Sequence, residues 1–203
     1  MPTLPLYDPL APPFAPHRVT APGGYEWWRF EASDPSAGIG ANIDFYQGYP
    51  QDPTYRRRYR LYRLWPTRFA PPVPKDYTAA ELVISENGRR IAKCLERGPL
   101  AVSDDALDLS VGQWHAAHRG RDFRVELPVG SLVFRHRGEV ECSPRHAGNG
   151  HWQTLPSPSF DVDGALEVGG RRIVLSTGVL LHRFGTRPLW GTARVPPSLS
   201  GQV

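Results

Sequence analysis

The 203 residues carry 40% hydrophobic and 22% charged side chains, which supplies apolar area for one folded domain and argues against a disordered chain. A formal net charge of +4 falls far short of the basicity of a dedicated nucleic-acid binder, and the two cysteines, Cys94 and Cys142, lack metal-like spacing, so both read as buried small hydrophobes. The N-terminal stretch has neither a basic start nor an apolar h-region, and no run reaches the length of a membrane span, which makes the cytoplasm the default compartment.

In chain order, residues 1–22 read as a Pro-rich arm lying extended across the surface, because repeated prolines fix φ and remove backbone donors. Residues 23–190 read as one β domain and 191–203 as a Pro-rich tail. The aromatic segment Gly24–Ala32 gives a first strand. From Ile39 the apolar series Ile39, Ala41, Ile43, Phe45 alternates with Gly40, Asn42, Asp44, Tyr46, the period of a strand with two different faces. The run Tyr55–Trp65 mixes arginines with stackable rings. It reads as an edge strand whose wet arginines discourage edge-to-edge pairing. No nucleic-acid fold signature accompanies it, so nucleic acid is not an expected partner, and anionic lipid headgroups are the alternative place for those arginines in a peripheral membrane contact.

Asn87-Gly88 between Glu81–Ser85 and Arg89–Cys94 suits a two-residue turn with positive φ and predicts a hairpin. Gly169-Gly170 does the same between Ala165–Val168 and Arg171–Ser176. Phe123, Val125 and Leu127 alternate with charged neighbours, and the pattern resumes over Ser131–Arg137 after Pro128 and Gly130. No segment shows a long helical stripe, the best being a short one near Thr78–Val83. The 22 prolines and 20 glycines, spread between short apolar runs, fit many turns. Many short antiparallel strands give a sandwich or a barrel, and periodicity does not separate the two.

Three blocks carry chemistry: Gly24-Tyr25-Glu26-Trp27-Trp28-Arg29-Phe30-Glu31-Ala32; His151-Trp152 with Pro156 and a strand over Ser159–Val162; and Gly178-Val179-Leu180-Leu181-His182-Arg183-Phe184-Gly185-Thr186-Arg187-Pro188-Leu189. In these blocks, and in their order, the chain resembles the N-terminal half of the carotenoid 1,2-hydratases (hydroxyneurosporene synthases) and their AttH-like relatives. The resemblance implies an all-β, antiparallel, lipocalin-like (calycin) barrel. It also implies a small apolar ligand, an isoprenoid, polyene or lipid, and hydro-lyase chemistry that adds water across a C=C bond. The family's third block carries His-Asp where this chain has Leu180-Leu181, and longer relatives continue into a second lipocalin-like half. No cofactor and no metal is implied.

Hydration needs an acid for the alkene, a means of stabilising a cation, and a positioned water. Alternation puts Glu26 on one strand face with Trp28 and Phe30, so Glu26 is the candidate acid, with burial expected to raise its pKa. Trp28 is the candidate cation stabiliser, and His182 the candidate proton shuttle. Phe30, Tyr46, His151 and Trp152 are candidate ligand contacts, and Asn42 and Asp44 could hold a hydroxyl or water if their face lines the interior. On the opposite face of the first strand, Arg29 and Glu31 read as a solvated pair. A non-catalytic lipid-binding module and a Diels-Alderase-like cyclising enzyme are the alternatives.

Overall fold

A computed structural model describes residues 14–103, 106–136, 141–148, 150–157 and 160–191, with 141–148 and 154–157 described by their backbone alone. The fold is one antiparallel sheet. Its strands are β1 (Tyr25–Asp34), β2 (Ile39–Gln47), β3 (Thr78–Glu86), β4 (Arg89–Arg97), β5 (Leu100–Val102), β6 (Asp108–Val111) and β7 (Trp114–Arg119). There follow β8 (Asp122–Leu127), β9 (Gly130–His136), β10 (Glu141–Gly148), β11 (His151–Ser157), β12 (Phe160–Val168), β13 (Arg171–Val174) and β14 (Thr177–Gly185).

The main path runs β4-β3-β2-β1-β14-β12-β9-β8-β7-β6-β5. It curls into the expected lipocalin-like barrel until β3 and β6, eight places apart in that order, touch and share one core. Tight coiling requires close backbone approach. Gly164 sits at φ +130, where an added Cβ would lie 2.1 Å from the Ser131 carbonyl oxygen on the neighbouring β9, so only glycine fits that crossing.

Both Gly-containing turns form as the sequence indicates. Asn87 and Gly88 hold φ of 50 and 76, Gly169 and Gly170 hold 59 and 75, and the strands pair Glu86 with Arg89 and Val168 with Arg171. Thr78–Val83 lies in strand β3. The Phe123–Leu127 strand is β8 and its successor is β9, with Arg137 outside the described residues. Cys94 is free and half-buried rather than buried. The side chain of Cys142 lies outside the described residues, as does Ser159.

Two readings are corrected. The run Tyr55–Trp65 is not an edge strand but helix α1 (Pro53–Leu64). Asp52 caps it, accepting from the N–H groups of Thr54 and Tyr55 at 2.7 and 2.9 Å, and Pro53 supplies a first helical residue whose missing N–H costs nothing there. Tyr55, Tyr59 and Tyr62 recur at helical spacing, and Tyr55 is buried with its hydroxyl donating to the Gly24 carbonyl at 2.7 Å.

The second correction concerns the N-terminal arm. Its described part, from Phe14, does not lie across the surface: Phe14, Ala15 and Val19 are buried. The Phe14 ring meets Phe123 edge-on at 5.5 Å, and its carbonyl accepts the Trp28 indole N–H at 3.0 Å. An apolar side chain between prolines gains more by entering the barrel end than by staying in water.

The interior is packed with the inward side chains of the sheet. Phe30, Phe45, Phe123, Phe134, Phe160, Ile43 and Leu82 are fully buried, with edge-to-face ring pairs such as Phe123 and Phe160 at 5.7 Å. A smaller cluster of Tyr25, Trp27, Tyr46, Tyr49 and Ala79 forms on the outer side of β1, β2 and β3.

Candidate active site

Strand pairing decides which side chains meet. Glu26 is opposite Phe184, and Trp28 opposite His182, across the β1–β14 ladder, so alternation turns Glu26, Trp28, Phe30, Leu180, His182 and Phe184 to one inner face. On its other side β14 pairs with β11, where Trp152 faces Phe184 and the two rings stack at 6.2 Å. Segment 14–19 closes this end and adds His17, whose ring stacks on Phe184 at 3.6 Å.

Three donors converge on one oxygen of Glu26. The His17 backbone N–H donates to Oε1 at 2.7 Å, with His17 Nδ1 at 3.2 Å and His182 Nε2 at 3.0 Å. Glu26 and His182 are both 0% exposed, and His17 keeps 18% of its side chain in reach of solvent. A carboxylate oxygen only accepts, so His182 carries its proton on Nε2. Two buried acceptor atoms, Glu26 Oε2 and His182 Nδ1, then have no partner among the described residues.

Burial opposes ionisation of Glu26, but the hydrogen bonds from His17 and His182, with their charge, outweigh it and hold the carboxyl below the usual range. This reverses the expected raised pKa, because the two imidazoles outweigh burial. Burial also pushes His182 down, against the pull of Glu26. The resting arrangement is a buried carboxylate held by a neutral His182, with the indole of Trp28 stacked on that imidazole at 4.9 Å. One ligand atom each from His17, Glu26 and His182 lies within 4.8 Å of the others, a donor set of two imidazoles and a carboxylate that suits a zinc-like divalent ion.

The other named residues divide between the two faces. Phe30 and Trp152 are on the inner side with Glu26. Asn42, Asp44 and Tyr46 are not, because Ile39, Ala41, Ile43 and Phe45 take the inward positions of β2. Asp44 is buried in the outer layer. It accepts Trp27 Nε1 at 2.8 Å, Arg29 Nε at 2.7 Å, Arg29 Nη2 at 3.0 Å and the Tyr46 hydroxyl at 3.1 Å. Arg29 therefore belongs to a part-buried ion pair with Asp44, extended to Glu31 at 3.4 Å, and not to a solvated couple with Glu31. His151 also lies outward, sharing a 3.0 Å hydrogen bond with the Tyr25 hydroxyl, whose pKa burial pushes up to about 12 against the opposing charge of Arg183.

Leu180 is buried on the inner face, and Leu181 packs against the outer cluster. Sequence reasoning missed His17 and Phe14, for which the only signal is an aromatic and a titratable side chain set among prolines.

No family model matches the chain. The chain is 33% identical to hydroxyneurosporene dehydrogenase of Chlorobaculum tepidum over an alignment of 204 positions, which covers 86% of this chain and 52% of that protein. Among solved structures it is similar to an AttH of Nitrosomonas europaea, with TM-score 0.55 and 14% identity over 90% of this chain and 58% of that one. It is also similar to kievitone hydratase of Nectria haematococca, with TM-score 0.50 and 12% identity over 89% of this chain and 52% of that one. The chain spans about half the length of these relatives. The sequence relative, with the curled sheet shared with these structures, places the chain in the carotenoid hydratase and AttH-like family.

Proposed function

We propose that this chain binds an apolar isoprenoid or polyene and handles protons for the addition of water across one of its double bonds. The observation that carries this reading is the lopsided Glu26 carboxylate: three donors crowd Oε1, while Oε2 is buried with no partner among the described residues. A buried acceptor left open costs free energy unless something else uses it. Oε2 and His182 Nδ1 both suit a hydroxyl, either a water or the tertiary alcohol that hydration forms. A hydratase among the structural neighbours supports the same chemistry.

In the hydration direction the alkene takes a proton from the cluster of His17, Glu26 and His182. That proton enters through His17, passes to Glu26 and leaves from Oε2. Water then attacks the cation and returns a proton to Oε2, which Glu26 passes back to His17, so the cluster ends as the carboxylate it began as. His17, in reach of solvent, is the port through which protons are exchanged. The indole face of Trp28 is occupied by the His182 ring, so Trp28 stabilises positive charge on that imidazole by about 0.5–2 kcal/mol rather than touching the substrate cation. The Phe14 ring occupies apolar space 6.3 Å from His182, and an apolar ligand enters by displacing that ring while His17 stays on Glu26.

The test is incubation of the purified chain with an acyclic isoprenoid in ¹⁸O-water, with mass analysis of the product. Incorporation of one labelled oxygen by the native chain, and a loss of at least about 100-fold in Glu26→Gln with ligand binding intact, is expected. Unchanged turnover in that variant would remove Glu26 from the chemistry. Saturable binding with no product in the native chain would leave a lipid-binding module.

A further inference from the structure

We propose that the outer face of α1 docks on an anionic phospholipid surface. From Pro53 to Lys75 the sequence holds six arginines (Arg56, Arg57, Arg58, Arg60, Arg63 and Arg68) and no Asp or Glu. Five of them are exposed and Arg56 is half-buried, and among the described residues none of the six forms an ion pair. At 100° per residue, Arg57, Arg60, Leu61 and Leu64 share the side of the helix opposite Tyr55 and Tyr59. Leu64 is 66% exposed and the next residue, Trp65, 51%, while Pro53, Arg56, Arg57, Arg60 and Leu61 line a shallow surface cleft. Uncompensated guanidinium groups beside an exposed Leu and Trp are the chemistry of an interfacial helix: the cations meet lipid phosphates and the apolar tip enters the acyl boundary.

A nucleic acid would offer the same negative charge, but it would need rings on which to stack its bases. Tyr55 and Tyr59 face the other way, and Trp65 at the tip offers one exposed ring rather than a row of them. Tyr55 stacks on Tyr77 at 4.5 Å and meets Trp190 edge-on at 5.3 Å, and Tyr59 meets Trp190 at 5.8 Å. Lipid is therefore the better fit. No helix among the described residues is long and apolar enough to cross a membrane.

Position gives the docking a use. The Tyr55 hydroxyl holds the Gly24 carbonyl, and the Glu26 site begins two residues further on, so α1 sits at the barrel end closed by segment 14–19. A docked helix would hold that end toward the leaflet in which isoprenoids dissolve. The docking stands independently of the chemistry at Glu26.

The full chain is sedimented with vesicles of phosphatidylcholine, with and without phosphatidylglycerol, at rising salt. Association with the anionic vesicles alone, weakening as salt rises, is expected. Arg57→Gln and Arg60→Gln should each weaken partitioning roughly fivefold, the equivalent of about 1 kcal/mol per basic side chain at an anionic leaflet. Leu64→Ser with Trp65→Ser should weaken it further while the anionic preference persists. Both positions are exposed, and an unchanged melting temperature confirms that the variants fold. Equal partitioning onto neutral vesicles, no partitioning, or native affinity in the arginine variants would overturn the proposal. So would binding of single-stranded RNA with no binding to either vesicle.

Discussion

The two faces of β1 each bury a carboxylate against β2 or β14, and the two are served very differently. Outward, Asp44 receives four donors from Trp27, Arg29 and Tyr46, shared between its two oxygens. Inward, Glu26 receives three donors on Oε1 and, among the described residues, none on Oε2. A carboxylate whose lone pairs are distributed over a guanidinium, an indole and a phenol is a structural joint between strands. One left half-open in a dry aromatic setting contributes less to stability than it could, which is what the proposed function uses. The contrast separates the two acids better than burial does, since both are almost wholly inaccessible.

Deleting each acid in turn should separate the two. Asp44→Ala leaves the part-buried Arg29 without its main partner, and the loss should be about 3–5 kcal/mol in urea unfolding. Glu26→Gln keeps an acceptor for the donors now on Oε1 and removes a buried charge, so its cost should stay under about 2 kcal/mol. Similar losses in the two variants would mean that Glu26 is also a structural joint, and the functional reading of its free oxygen would fall.

A smaller effect comes with pH. Glu26 and His182 are both held below their ordinary values, 4.5 and 6.5 respectively. Below each ordinary value the unfolded chain therefore binds more protons than the folded one. The stability these groups contribute is complete above 6.5. It falls as the solution is acidified, first as unfolded His182 takes up its proton and then as unfolded Glu26 does. Melting temperature followed against pH should decline across that range, and His182→Gln should flatten the upper part of the decline. A native protein whose melting temperature holds steady on acidification would show that the folded pair is not set as described.

Much of this was legible in the residues, and the gaps have physical causes. The Asn87-Gly88 and Gly169-Gly170 turns read correctly because a two-residue hairpin demands positive φ, which few residues supply. The company of Glu26, Trp28 and Phe30 on one face follows from a period of two. Which side of β2 faces inward did not follow, because both sides of that strand are buried and alternation carries no sign. The state of Glu26 depended on His17 and His182, nine and 156 positions away, and a Pro-rich arm has no periodicity to show where it docks. Helix α1 was obscured by its own arginines, which read equally well as an edge strand. The overlooked signal was Asp52-Pro53, a cap followed by a residue that starts helices well.

That signal yields the smallest of the expected effects. The Asp52 carboxylate satisfies two backbone N–H groups at the start of α1, and its exposed contact with Arg97 at 3.6 Å adds little. Asp52→Ala should therefore cost about 1 kcal/mol, and Asp52→Asn, which keeps the acceptor, a fraction of that. The loss should be local, because α1 is tied to the barrel chiefly through Tyr55, Tyr59 and Trp190. Amide exchange should accelerate over the first turn of the helix while protection in β1 and β14 holds. If β1 loses protection as well, the helix is part of the support for the Glu26 end of the barrel, and the two carboxylates are not as separable as their hydrogen bonds indicate.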